Sequence, residues 1–261
     1  MTKYAVHIED ICFAYESEMV LKNLSMDIAS NSICFIMGNN GSGKTTLLKN
    51  IMGFLKPQQG VIQISGKSVS DIDKQTMSRM VSYVPQAIHL NTDFSVIDYI
   101  SLGRTPYIGL MSRLSEEDYQ IIERISVLLG VDGIYKIPFN KLSGGQKQMV
   151  AVAKSLIQDT HVIIMDEPMS ALDIGKQVEL LKVLHSLAED GKTIILTTHN
   201  PNHALALESN SCFLKHGEIA AFGRSSDVIQ DKIIREIYGN NIAIDYGEKV
   251  TSVVFDINHH S

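Results

Sequence analysis

Apolar residues recur along this chain with two periods, and the switches between them predict the elements. Tyr4–Ile8 and Ile11–Tyr15 alternate as strands do. Ser32–Met37 is a short apolar run that reads as a buried strand, and it ends in a glycine-rich turn. Beyond the turn, Leu47, Leu48, Ile51, Met52 and Leu55 recur at helical spacing until Pro57 and Gly60 break the helix, and Val61–Ile64 resumes strand character. Strand, glycine turn and helix together open a βαβ unit.

The middle of the chain reads as helical. Val96, Ile97 and Ile100 mark one short helix, and Ser115-Glu116-Glu117-Asp118 has the form of a capping box. The helix it opens carries Ile121, Ile122, Ile125, Leu128 and Leu129, with Gly130 as its stop. A third helix follows Ser143, with Met149, Val150, Ala153, Leu156 and Ile157 on one face. Val162–Met165 and Thr193–Leu196 are again strand-like, separated by a helix bearing Leu180, Leu181, Leu184 and Leu187. Such alternation predicts an α/β fold with a largely parallel sheet covered on both faces. The segment from Ile242 to Ile257 alternates around Tyr246-Gly247-Glu248 and predicts a terminal hairpin, at about 240–258. With no repeat or linker in view, the expectation is one domain over 1–261, its helical part (about 88–160) inserted into the α/β core.

Composition narrows the function. The 261 residues are 44% hydrophobic and 20% charged, which supplies a core and excludes disorder as the dominant state. The longest apolar runs fall far short of the ~18–20 residues of a spanning helix. The start, Met1-Thr2-Lys3-Tyr4, leads straight into alternation, so no secretory signal is expected. A formal charge of −6 gives nucleic-acid binding no support. Cys12, Cys34 and Cys212 are odd in number, far apart and set in strand-like segments, so they read as buried reduced thiols.

Chemistry enters at Gly38-Asn39-Asn40-Gly41-Ser42-Gly43-Lys44-Thr45, which fits G-x-x-x-x-G-K-[ST]. Glycines let the main chain wrap phosphate oxygens with its N–H groups, and the following helix presents its positive end to them. Lys44 reaches the β- and γ-phosphates, and Thr45 has a hydroxyl for Mg²⁺. The plain alternative is a glycine turn with a solvated lysine; the strand before and amphipathic helix after weigh against it. Downstream, the strand ending in Asp166-Glu167 sets two acids at a strand C-terminus, where parallel sheets bind ligands. Asp166 suits Mg²⁺ and Glu167 suits activation of water, although such acids also cap helices.

Leu142-Ser143-Gly144-Gly145-Gln146 completes an ordered set. With it, the chain strongly resembles the ATP-binding-cassette (ABC) ATPases over about residues 4–239. The resemblance implies a P-loop NTPase core with an N-terminal antiparallel β subdomain and an inserted helical subdomain. It matches Gly38–Thr46 to the phosphate loop, Gln86 to the Q-loop glutamine and Leu142–Gln146 to the signature. It matches Asp166 to the magnesium ligand, Glu167 to the catalytic glutamate, Ser170-Ala171-Leu172-Asp173 to the D-loop and His199 to the switch histidine. Tyr15 best matches the aromatic that stacks on adenine. Each residue also has a bland reading: a strand aromatic for Tyr15, a turn residue for Gln86, a helix cap for Ser143, an inert strand-end histidine for His199.

The family pattern further implies ATP and Mg²⁺ as cofactors. Lys44, Gln86, Glu167 and His199 act in hydrolysis. Tyr15, Gly38, Asn39, Asn40, Gly41, Ser42, Gly43, Lys44, Thr45 and Thr46 hold nucleotide, and Thr45, Gln86 and Asp166 hold the metal. Ser143, Gly144, Gly145 and Gln146 serve the nucleotide of a second copy in a head-to-tail dimer. The Gly103-Arg104-Thr105-Pro106-Tyr107 run, the stretch Ile108–Asp118 and the terminal hairpin are similar to ATPases that import iron–siderophore, haem or cobalamin-type metal chelates. That implies transmembrane permease subunits, an indirect substrate-binding protein, no nucleic acid, and a peripheral place on the cytoplasmic face of the plasma (inner) membrane. The same motifs also fit a soluble ABC ATPase of an assembly system, such as iron–sulfur cluster building, or a non-hydrolysing regulatory module. Asn39 replaces the usual phosphate-loop proline, Lys147, Met149 and Lys154 stand where arginines are common, and Met169 replaces a usual threonine.

Overall fold

The computed structural model describes residues 4–88, 93–108, 113–207, 209–248 and 250–256. Parts of four expectations lie outside these residues: the start at 1–3, positions 89–92 and 109–112 of the helical part, positions 109–112 of the Ile108–Asp118 stretch, and positions 249 and 257–258 of the hairpin. The N-terminal alternation folds into β1 (Tyr4–Tyr15) and β2 (Glu18–Ala29), an antiparallel pair whose buried face carries Val6, Ile8, Ile11, Leu21 and Ile28. Next come β3 (Ile33–Met37), every residue buried, and α1 (Lys44–Ile51). Then β4 (Gln59–Ile64) and β5 (Lys67–Ser68) close a four-stranded sheet in the order β2-β1-β4-β5. Gly60, expected to precede the strand, lies within β4. Its φ is +80°, and a Cβ there would stand 2.3 Å from the Glu9 carbonyl oxygen, so glycine is what lets β4 lie against the irregular stretch of β1.

Helix α2 (Lys74–Met80), capped by Asp73, leads directly into β6 (Val81–Val84). The helical part follows as α3 (Val96–Ser101), α4 (Glu116–Leu128) and α5 (Gly144–Ile157). All three open on capping boxes, Ser95 with Asp98, Ser115 with Asp118 and Ser143 with Gln146, so each helix start is written locally. The chain then runs through β7 (Val162–Met165), α6 (Ile174–Glu189), β8 (Thr193–Thr197) and α7 (Pro201–Leu205). It ends with β9 (Asn210–Lys215), β10 (Glu218–Arg224), α8 (Ser225–Val228), α9 (Asp231–Tyr238) and the antiparallel hairpin β11 (Ile242–Tyr246) and β12 (Thr251–Phe255).

The central sheet has six strands in the order β10-β9-β3-β8-β7-β6, all parallel except β10. Alternation within β3 divides the core in two. Cys34 and Ile36 join Leu47, Leu48 and Ile51 of α1 in a core under the antiparallel sheet. Ile33, Phe35 and Met37 join Val150, Leu180 and Leu184 in a core under the helices. Burial pushes the Cys34 thiol up to about 12, so it is an inert core residue.

The Gly103–Tyr107 run, read as similar to that of metal-chelate importers, has a definite packing job here. The Arg104 guanidinium donates to Asp118 Oδ1 at 2.6 Å and to the Ile157 carbonyl at 3.1 Å, and lies 4.3 Å from the centre of the Tyr107 ring. It ties α4 to the end of α5. A Cβ on Gly103 would fall 2.4 Å from the Lys154 carbonyl oxygen, so α5 approaches this turn too closely for any side chain.

Candidate functional site

Parallel pairing in register sets the site. Ile36 pairs with Thr197, Leu196 with Met165, and Met165 with Val84. The segments that leave β3, β8, β7 and β6 therefore emerge side by side at one edge: Gly38–Thr45, Thr198-His199, Asp166-Glu167 and Pro85-Gln86. Ligands of open α/β sheets bind along such an edge.

The loop after β3 is a cradle. Gly38, Gly41 and Gly43 have φ of +143°, +77° and +102°. A Cβ on Gly38 would meet the Leu214 carbonyl oxygen at 2.2 Å, and one on Gly43 would meet Leu21 Cδ2 at 2.8 Å, so these two positions admit only glycine. Lys44 folds back across the loop, its Nζ donating to the carbonyls of Gly38 (2.8 Å) and Asn39 (3.0 Å). Burial lowers the Lys44 pKa, and the charges of Glu167 and Asp166 pull the other way. Ser42 Oγ is buried in the cradle without a hydrogen-bond partner among the described residues. A buried orphan hydroxyl at a helix start, beside the Lys44 ammonium, is donor chemistry that suits a phosphate. Tyr15 ends β1, 44% exposed and edge-on to Phe13 at 4.9 Å between ring centres. Its hairpin partner strand β2 lies against Gly43, which brings the tyrosine's end of the hairpin to the cradle.

Asp166 and Glu167 behave differently although adjacent. Asp166 is 2% exposed, and both its oxygens are bonded: Oδ2 by Thr45 Oγ1 (2.8 Å) and Oδ1 by Thr197 Oγ1 (2.7 Å). Thr45 and Asp166 thus present hard oxygen donors side by side, the donor chemistry that suits Mg²⁺. Glu167 has φ +49°, an uncommon backbone for a non-glycine residue, held by its N–H donating to Thr197 Oγ1 at 2.7 Å. Its carboxylate lies between two groups: Gln86 Nε2 donates to Oε2 at 3.0 Å, and His199 Nε2 stands 2.5 Å from Oε1.

Lys44, Thr45, Gln86, Asp166, Glu167 and His199 therefore converge. Ser143–Gln146 do not: among the described residues no hydrogen bond joins them to that cluster. Ser143 caps α5, accepting from the Gln146 N–H at 3.3 Å while Gln146 Oε1 accepts from the Ser143 N–H at 2.9 Å. With Ala171, Leu172 and Asp173, the residues Ser143, Gly145 and Gln146 line a separate cavity of about 520 Å³. Asp173 also caps a helix, accepting from the Lys176 N–H.

Residues that sequence reading did not single out complete the shell. Thr197 braces both acids. Behind it His203, 8% exposed, sits between Thr198 Oγ1 (2.9 Å from Nδ1) and Gln177 Oε1 (3.1 Å from Nε2). Gln177 donates in turn to the carbonyls of Met169 and Leu172, joining the D-loop segment to the turn that carries His199. Burial lowers the His203 pKa.

A glycine cradle at a helix start, with a lysine and paired acids at neighbouring strand ends, defines a P-loop nucleotide-binding ATPase. Comparison with known proteins carries this further. The ABC transporter family model matches residues 21–170, and the chain belongs to that family. It is 32% identical to the petrobactin import ATP-binding protein YclP of Bacillus subtilis, over 92% of this chain and 94% of that one. It is 29% identical to the iron(3+)-hydroxamate import ATP-binding protein FhuC of Bacillus subtilis, over 88% of this chain and 86% of that one. Among solved structures, a chain of an inward-facing ABC transporter assigned to the metal-chelate type superposes with TM-score 0.84 at 27% identity, covering 96% of this chain and 97% of that one. A dimeric ATP-binding cassette in a post-hydrolysis state, bound to ADP and Pi, superposes with TM-score 0.76 at 28% identity, covering 84% of this chain and 98% of that one. The fold is that of an ABC ATPase, and the chain is a nucleotide-binding, ATP-hydrolysing subunit of this family.

Proposed function

We propose that this chain powers a membrane importer of metal chelates of the iron–siderophore class. The observation that carries the ATPase chemistry is the placement of Glu167 between Gln86 and His199 at the mouth of the Gly38–Thr45 cradle. A carboxylate there takes a proton from water as it attacks the γ-phosphate, and His199 orients water and phosphate. Lys44, with the loop N–H groups, stabilises charge on the transferred phosphoryl group. Thr45, Asp166 and Gln86 would hold Mg²⁺, which neutralises phosphate charge when bound. Tyr15 offers its ring to the adenine.

The separate cavity at Ser143, Gly145 and Gln146 supports a head-to-tail pair of copies, in which each signature helix start meets the γ-phosphate in the other's cradle. Hydrolysis removes that bridging group, and the halves part. A permease fits a second feature. Met52, Phe54, Val69, Met77, Tyr83 and Pro85 line an apolar groove of about 570 Å³ beside Gln86, with Phe54 66% exposed. An apolar helix end of a transmembrane subunit seated there would be one residue from the catalytic glutamine. No described helix is long and apolar enough to cross a membrane. The likeness to ATP-binding subunits of importers is what supports a peripheral place on permease subunits, on the cytoplasmic face. Contact with the substrate-binding protein then runs through those subunits, and the import relatives named above support the metal-chelate cargo.

Glu167→Gln tests the reading. The variant keeps nucleotide affinity and loses at least a hundredfold in ATP turnover, the range of general-base catalysis. Turnover at the parent rate would overturn it.

A further inference from the structure

The C-terminal unit of α9 and the β11–β12 hairpin contains none of the family motifs, yet it touches both sides of the nucleotide site. The unit is tied together internally. Asp231 Oδ1 accepts from the Ile244 N–H at 2.9 Å, Arg235 donates to the Asn240 carbonyl at 2.7 Å, and Arg235 lies 3.6 Å from Asp256 Oδ2. One contact leads to the cradle: Asn39 Nδ2 donates to the Ile237 carbonyl at 2.6 Å. The Asn39 carbonyl in turn accepts from Lys44 Nζ at 3.0 Å and from the Ser42 N–H at 3.2 Å, so this residue links α9 to the lysine. A proline, usual at this position, has no side-chain donor for that link.

The other contact leads to the histidine. Asn202 pairs with β12 as a backbone peptide would, Oδ1 accepting from the Val253 N–H at 2.7 Å and Nδ2 donating to the Val253 carbonyl at 3.1 Å. Asn202 stands in the first turn of α7, three residues past His199. Val253, Val254 and Phe255 wall a cavity of about 320 Å³ together with His199, Asn200 and Pro201.

We propose that Asn39 and Asn202 are positioning residues, through which the α9–hairpin unit sets Lys44 on one side of the phosphate and His199 on the other. This rests on the ATPase reading above and deepens it. Asn202→Ala lowers kcat about fivefold while KM for ATP stays within about twofold, because the histidine acts in the chemical step. Asn39→Ala instead raises KM about threefold through the lysine. Asn202→Asp recovers part of kcat, since its carboxylate still accepts from the Val253 N–H. Amide exchange across 198–203 in the full-length Asn202→Ala chain rises relative to the parent. Parental kcat or parental exchange in Asn202→Ala, or parental KM in Asn39→Ala, would overturn the proposal. Should the parent hydrolyse no ATP, the ATPase reading fails, and the exchange measurement still decides this one.

Discussion

Thr197→Val is the sharpest perturbation the structure offers, because one hydroxyl braces two acids. Thr197 is fully buried; its Oγ1 donates to Asp166 Oδ1 at 2.7 Å and accepts from the Glu167 N–H at 2.7 Å. Valine keeps the shape and removes both bonds. The bond to a carboxylate is worth about 1.5–3 kcal/mol, and a buried N–H left without a partner costs about 1–3 kcal/mol. The two share one atom and do not simply add, so the loss of stability comes to about 2–4 kcal/mol. Turnover suffers separately. The left-handed backbone at Glu167 (φ +49°) carries about 1–3 kcal/mol of strain, which persists only while its surroundings hold it. Freed of its anchor, the residue relaxes and its carboxylate leaves the gap between Gln86 and His199. At tenfold per 1.36 kcal/mol, a displacement costing about 1.4–2.7 kcal/mol lowers kcat about 10- to 100-fold. Urea unfolding reads the first effect and steady-state phosphate release the second. Thr197→Ser keeps the hydroxyl and stays close to the parent in turnover. A valine variant with kcat within about twofold of the parent and an unchanged unfolding midpoint would refute the bracing role.

Lys44→Ala removes the ammonium that spans the cradle and weakens ATP affinity at least about tenfold, as measured by titration with a fluorescent nucleotide analogue; unchanged affinity would count against the cradle. Ser143→Arg leaves nucleotide binding by one chain intact and blocks ATP-driven dimerisation of a hydrolysis-deficient background in sedimentation. A variant that still dimerises would remove the signature from the shared site. His203 supplies a pH dependence. Its pKa is lowered by burial from the ordinary 6.5, so its contribution is present above that value and is lost as pH falls below it. Its ring contacts are neutral, Thr198, Gln177 and Asn200, and so supply no charge to hold the protonated form. The unfolding midpoint therefore declines from about pH 6.5 downwards, and His203→Gln flattens that decline relative to the parent; identical slopes would contradict it.

Some of this was legible along the chain because its cause is local. The phosphate cradle is contiguous, and positive φ at Gly38, Gly41 and Gly43 is a local demand for glycine, even though the approach of Leu214 and Leu21 adds a second one. Each helix start in the middle region is a capping box four residues long; the one at Ser115–Asp118 reads directly from the sequence, and those at Ser95–Asp98 and Ser143–Gln146 have the same local form. Other features were hidden because a residue's type does not reveal its neighbour. Gly60 reads as a breaker until Glu9 lies against it. Arg104 reads as one member of the Gly103–Tyr107 run until Asp118, Ile157 and Tyr107 surround it. Thr197 reads as the residue just past the Thr193–Leu196 run; only the parallel register of β8 beside β3 and β7 sets its hydroxyl between Asp166 and Glu167.

The sequence by itself determined the chemistry available: a lysine on a glycine loop, two acids after an apolar strand, a serine-capped helix start, and no apolar run long enough for a bilayer. Their order and spacing also determined the family. Tertiary structure alone decided which of these groups meet. It gathered Lys44, Thr45, Gln86, Asp166, Glu167 and His199 at one sheet edge, left Ser143–Gln146 facing a different cavity, and brought a C-terminal hairpin against the histidine's turn. The reason is physical: hydrogen-bond register between strands far apart in the chain sets these distances, and no local period encodes a register.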